Sequence, residues 1–450
     1  MISIRNLTSV LFTFVVLLAI VWPIPNELLP FHRNLFIYSA FIIALGLYFH
    51  NQIDVDYRSG KIRWLIIILV TISIYGLIIG LLYSPNIKLM LKNWNGMWVR
   101  PVMLFFLGLY IYPILKREFT TLTPERFISI IVLCFFISPA LHVIDTLLFY
   151  FENSYIPWGE TRLFRTRTEL SIQINMIAVI LIAEALRRAF KHQPALVFNN
   201  LSLVLMIAII GISTALANTR FGTIGLTAGM FSMIFLILLK ELNRKNLFKM
   251  SIIVTAITIA IAILGYSSFK KDPRWHTLKE DVTAGWDAPV KSYCFELNPS
   301  SPQLKRGDGE PVDTSNACRP AYIHQALELI AYYPMGIGAG KSVYLNLLQK
   351  NHPTANINIS QSHSGLLELA MQYGVFGLIA WLTFNIIIIL QAWRSYTRSN
   401  DKIALFSLIF TIGFLSRSLI DRNLIDHFFE QFMFVSAVLL SITWIKDHSK

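Results

Sequence analysis

Twelve long apolar runs constrain this chain more than any other feature. They lie near residues 7–24, 34–49, 64–83, 98–115, 128–151, 171–187, 201–217, 222–239, 250–267, 364–391, 403–420 and 428–445. About 20 apolar residues in a helix cross a hydrocarbon core of roughly 30 Å. In lipid every backbone N–H and C=O must find its partner within the chain, which leaves helices and closed barrels. The runs are continuous rather than alternating, and this excludes barrel strands. The composition agrees, with 55% hydrophobic and 14% charged residues, against about 25% charged in soluble domains. The expected fold is therefore all-α, a polytopic integral membrane protein with about 12 transmembrane helices. The first run follows Arg5 as a signal peptide would. It continues into Trp22-Pro23-Ile24-Pro25 with no small-residue cleavage site, so it reads as an uncleaved span.

The formal net charge of +13 would suit nucleic acid in a soluble domain. Its distribution speaks for topology instead, and no nucleic-acid partner is expected. With the N-terminus inside, cytoplasmic segments hold 19 of the 39 Lys and Arg, short outer loops hold 10, and one long loop holds the other 10. Long loops carry little orientation signal, so the short loops decide. They place both termini in the cytoplasm and the long loop in the periplasm. Residues 1–267 then carry helices 1–9, residues 268–362 the periplasmic loop domain with short helices, and residues 363–450 helices 10–12.

The loop begins with turn-rich sequence such as Arg306-Gly307-Asp308-Gly309. It continues with Ile323, Ala326, Leu327 and Ile330 at helical spacing before Pro334, and Val343–Leu348 suggests a second short helix. Cys294 and Cys318 both fall in this loop. An oxidising compartment permits a bridge between them, but sequence alone does not bring their Cα atoms within reach. Cys134 lies in a span and reads as a packed core residue.

Two tempting motifs fail. Gly336-Ile337-Gly338-Ala339-Gly340-Lys341-Ser342 resembles a phosphate loop, but that pattern needs glycine where Met335 stands. No nucleotide is expected. Asp54-Val55-Asp56 resembles a metal-binding pair, yet it falls in a cytoplasmic loop and reads as solvated charge. No His, Cys and carboxylate cluster has metal-ligand spacing, so no metal and no cofactor are expected.

Outer-face residues carry the stronger signal. Arg220, in the short turn between spans 7 and 8, sits at or just inside the membrane surface, where an ionisable group is costly. Its planar fork suits phosphate, and it would equally snorkel to lipid headgroups. Arg162, Arg165 and Arg167, between spans 5 and 6, suit phosphates of a substrate or a patch against membrane lipids. Arg417, Asp421, Arg422, Asp426, His427 and Glu430 crowd the last outer turn and read as an internal salt-bridge network. His363 precedes span 10, with Ser364 as its N-cap. The positive helix end disfavours protonation there, and a neutral imidazole can act as a general base. Alone, such a histidine could equally serve as a hydrogen-bonding group at the headgroups.

His363-Ser364 followed by Gly374 and Gly377 forms a recognisable pattern. So do Thr219-Arg220-Phe221-Gly222-Thr223-Ile224 and Arg319 leading into Pro334-Met335-Gly336-Ile337-Gly338. With these motifs in these places, the chain resembles the O-antigen ligase family, which shares its fold with O-antigen polymerases. The resemblance implies a metal-independent glycosyltransferase of a Gram-negative inner membrane, with its active site on the periplasmic side. Its donor would be a polysaccharide on undecaprenyl diphosphate and its acceptor a sugar of lipid A–core. By motif match, Arg220 and Arg319 would hold the diphosphate and His363 would activate the acceptor hydroxyl. Gly374 and Gly377 would give span 10 a small-residue face for close packing or for the lipid chain. A polymerase joining repeat units on the same carrier has nearly the same motifs. A transporter of lipid-linked sugar would favour two similar halves, and the sequence has none.

Overall fold

The structure is a computed structural model. It describes residues 3–22, 24, 29–30, 32–51, 60–84, 86–164, 166–190, 192–241, 255, 273–296 and 301–448. The run at 250–267, apart from residue 255, and Asp54 and Asp56 lie outside the described residues.

The described chain is helical, with two isolated β-bridges and no strand. The helices are α1 Ile4–Val21, α2 His32–Asn51, α3 Gly60–Tyr83, α4 Ile87–Trp94, α5 Arg100–Glu118, α6 Pro124–Asn153, α7 Arg167–Ala189, α8 Asn200–Ala217 and α9 Arg220–Glu241. A single π-turn, Asn95–Val99, links α4 to α5. Then come α10 Leu278–Trp286, α11 Thr314–Tyr332, α12 Val343–Asn351, α13 Gly365–Ser399, α14 Lys402–Ile420 and α15 Asp426–His448. Ten of the apolar helices are long enough to cross a membrane, counting α4 through α5 as one. With α9 they account for eleven of the twelve expected spans. The protein is an all-α, multi-pass membrane protein.

Local sequence sets the helix starts. Thr166 caps α7 by accepting from Glu169 N at 3.2 Å, with Glu169 in the first turn as a capping box requires. Asn199 caps α8 in the same way at 2.8 Å. Thr123 caps α6, and Pro124 at the first helical position costs no hydrogen bond. The axis of the bundle is α15, whose apolar stretch is enclosed on all sides. It packs closely along α5, because a Cβ at Gly108 would stand 2.5 Å from Phe434 O. Across the same seam Ser441 Oγ donates to Leu109 O at 2.8 Å.

The expected helix of span 10 is present but broken. Gly374 sits at φ 68°, ψ −178° inside α13, a region open essentially to glycine alone. The chain at 334–338 heals the break. Val375 N donates to Pro334 O at 2.9 Å, Ile337 N to Met371 O at 3.2 Å, and Gly338 N to Gln372 O at 2.9 Å. Carbonyls that lost their helical partners are thereby satisfied. Gly336 and Gly338 also have positive φ, and a Cβ on either would strike backbone, of Gly374 and of Gly80 respectively. The glycine pattern that imitates a phosphate loop therefore serves as a backbone splice.

The segment between α9 and α13 has its own small core. Val290, Phe295, Tyr322, Leu347 and Leu348 pack there, joined by Met371 from α13. Cys294 and Cys318 form a disulfide across 24 residues. Of the segment's helices, α11 and α12 match the two expected from the sequence, and α10 is additional.

Candidate active site

His363 stands where the segment meets the bundle. Its φ of 58° is left-handed, a conformation histidine tolerates better than most residues. Flanking bonds hold it. Ser362 N donates to Glu368 Oε1 at 2.7 Å, and Gly365 N donates to Asp421 O at 2.9 Å. Ser364 caps α13, accepting from Leu367 N at 3.5 Å and donating to Ser418 O at 3.3 Å. Its hydroxyl is buried and engaged with these partners.

The left-handed turn brings the imidazole against Tyr322, the rings stacked with centroids 5.7 Å apart and planes 19° from parallel. Tyr322 is itself fixed, donating from Oη to Cys294 O at 2.7 Å. Arg319 lies one turn earlier on α11, so the i, i+3 spacing sets both on one helix face. The disulfide at Cys318 clips that turn to the chain at 294. Burial pushes the His363 imidazole down to about 4, and the charges of Arg319 and Arg422 push the same way against Asp421. The sequence argument from the helix N-terminus has the right direction. The causes in the structure are burial first and then the two guanidiniums. The ring is consequently neutral at neutral pH and able to take a proton.

The bundle side supplies a chain of polar contacts toward α9. Asp421 Oδ2 accepts from Arg417 at 2.7 Å, and Arg417 donates to Ser171 Oγ at 3.0 Å. Ser171 lies against Gly222, and Asn175 donates to Gly222 O at 3.1 Å. Glycine at 222 and 225 leaves room for Ser171, Asn175 and Arg417, where a Cβ would come within 2.9, 2.6 and 3.1 Å respectively. Arg220 opens α9 one turn before these contacts, and its side chain lies outside the described residues. The ion-pair network expected in the turn between α14 and α15 forms. Besides Arg417–Asp421, Arg422 pairs with Glu368 at 3.6 Å, Lys341 with Asp426 at 3.5 Å, and Arg100 with Glu430 at 3.1 Å.

Other expected residues sit elsewhere. Arg162 is ion-paired with Asp145 at 2.8 Å and lies over the Phe149 ring. Arg165 lies outside the described residues. Arg167 starts α7 beside Gly159, whose N donates to Leu216 O at 2.8 Å, so it borders the turn before Arg220. Gly377 faces Tyr373 across the break in α13, where a Cβ would lie 2.3 Å from Tyr373 Cβ.

Sequence reasoning missed Tyr322, Glu368 and the nearness of Arg422 to His363. The three-residue step from Arg319 to Tyr322 was a usable signal. Nothing in the sequence joins Glu368 to Arg422, because their meeting depends on how α13 and α14 cross. Among the described residues, no three His, Cys, Asp or Glu side chains gather as metal ligands.

No curated protein matches this chain. The family model described as O-antigen ligase matches residues 201–382. That stretch runs from α8 through the segment into α13 and contains Arg220, Arg319 and His363. Over that stretch the chain is similar to the O-antigen ligase family, of ligase and polymerase type.

Proposed function

We propose that the protein transfers polysaccharide from undecaprenyl diphosphate to a sugar hydroxyl of lipid A–core, at the periplasmic face of the inner membrane. The observation that carries this reading is the half-buried, neutral His363 held beside Arg319 on a stacked tyrosine. In the reaction, the unprotonated imidazole nitrogen takes the proton of the acceptor hydroxyl as its oxygen bonds to the donor's anomeric carbon. The bond from that carbon to the phosphate oxygen breaks, and its electron pair leaves on undecaprenyl diphosphate. Diphosphate is a good leaving group, so the protein's work is to position the substrates, accept the proton and stabilise the departing charge. Arg319 and Arg220 would supply that stabilisation, commonly the largest single effect in such sites. A positioned base adds about 10²–10⁴-fold.

The disulfide supports an outside location for the segment, since such bonds persist in oxidising compartments. The membrane-embedded helices on either side of the site suit a lipid-linked donor. Lipopolysaccharide from a deletion strain, run on a gel beside its lipid-linked polymer, tests the reading. Polymer accumulating unattached to core is the expected result. Single repeat units on the core would instead make the protein a polymerase on the same carrier.

A further inference from the structure

Arg422 stands directly after Asp421 in the turn between α14 and α15, tied to the start of α13. Its backbone N–H donates to Asp421 Oδ1 at 2.9 Å, and Asp421 O accepts from Gly365, two residues beyond His363. Its side chain is 14% exposed. One terminal nitrogen reaches the carbonyl of Lys341 and lies 3.6 Å from Glu368 Oε2, too far for a hydrogen bond. The Nε of Arg422 is buried with no hydrogen-bond partner, and so is Oε2 of Glu368. Neighbouring charges are otherwise engaged, Asp421 with Arg417 and Lys341 with Asp426. A buried charged donor left without its hydrogen bond is costly, so its retention in a folded protein calls for an explanation. Its charge acts on His363 in the same direction as that of Arg319.

We propose that Arg422 is a third guanidinium for the donor's diphosphate, with Glu368 as the counter-charge that positions it while the site is empty. The proposal rests on the transfer reading above. A diphosphate can accept from the unmade N–H, and a planar guanidinium suits its oxygens. As the glycosidic bond breaks, the phosphate oxygen gains the electron pair, and a cation set on the bundle side would meet that charge opposite Arg319. Glu368 neutralises the buried arginine between turnovers through an incomplete contact that a ligand can outcompete.

The test uses the purified full-length protein in zwitterionic nanodiscs. Binding is measured for undecaprenyl diphosphate and, separately, for lipid A–core. Arg422→Gln should weaken undecaprenyl diphosphate roughly tenfold or more and leave lipid A–core unchanged. Glu368→Gln keeps an oxygen for Ser362 N and removes the counter-charge, so diphosphate should bind a few-fold tighter. A merely structural role predicts no such gain. The double variant leaves no unpaired buried charge and should bind as weakly as Arg422→Gln. Unchanged diphosphate affinity in Arg422→Gln overturns the proposal, as does a gain from Glu368→Gln that survives in the double variant. Loss confined to lipid A–core overturns it too, by assigning Arg422 to an acceptor phosphate. If the single arginine variant does not fold, the double variant decides: undiminished diphosphate binding overturns the proposal. Polymer transfer by the unmodified protein is scored independently, so failure of the transfer reading shows there and failure of this one only in the variants.

Discussion

The site is assembled from two regions held together by different means. The segment between α9 and α13 brings Arg319 and Tyr322, and it is secured by a disulfide and by backbone hydrogen bonds into the break of α13. The bundle ends bring Glu368, Asp421 and Arg422, which are secured by an ion pair at the end of α14 and by another from the following turn to α13. The difference follows from core size. The segment's apolar cluster is small, and small cores need covalent or backbone staples to stay in one conformation. The bundle's continuous core already immobilises its helix ends, so charges can be stationed there at little further entropic cost. Buried ion pairs add position more dependably than stability. His363 sits on the seam, stacked on one region and bonded through its neighbours to the other.

The largest effect should come at the seam itself. His363→Ala should lower the transfer rate by about 10²-fold or more while undecaprenyl diphosphate still binds, because the proposed base serves the acceptor. Direct binding measured beside turnover checks this. If donor binding vanishes with activity, His363 holds phosphate or structure instead.

Next comes the splice between the regions. Gly374→Ala places a Cβ 2.5 Å from Pro334 O at a φ that alanine avoids, costing about 2–4 kcal/mol. Transfer should fall more than tenfold, and proteolysis within 301–362 should quicken. Gly46→Ala has open space around it and should change neither. Equal behaviour of the two variants would mean that the splice does not couple the regions.

The covalent clip should matter less. Replacing Cys294 and Cys318 together by serine removes a 24-residue closure, worth about 3 kcal/mol. The segment should open to protease and transfer should drop several-fold, while thermal unfolding of the bundle in detergent stays put. A matching drop in the bundle's Tm would show that the two regions fold as one unit.

Acidity should have the smallest effect near neutrality. Because His363 is held down to about 4, the neutral, active ring is already complete at pH 6. The kcat/KM profile should change less than twofold from pH 6 to 8 and fall only below about pH 5, as protonation removes the base. The kcat limb should lie higher, since bound diphosphate favours the imidazolium. A kcat/KM inflection near the free-histidine value of about 6.5 would mean that burial and the arginines do not act on the ring in solution.

Much of this was legible in residue order. Apolar run length alone locates eleven membrane helices among the described residues, because a helix in lipid answers only to its own backbone and to hydrophobic thickness. Thr166 and Ser364 mark helix starts by local capping, and the motifs around Arg220, Arg319 and His363 point to the candidate site. The break at Gly374 was not legible. An apolar run reads as an unbroken helix whether or not the distant segment at 334–338 replaces its hydrogen bonds. The disulfide was undecided for the same reason, since nothing local brings Cys294 within 5.1 Å of Cys318 between Cα atoms. The environment of His363 was decided by tertiary structure alone. Its low basicity depends on burial against Tyr322 and on Arg319 and Arg422, which approach from segments far apart in the chain. Charge–charge and desolvation effects depend on distance in space, and only the packed bundle sets those distances.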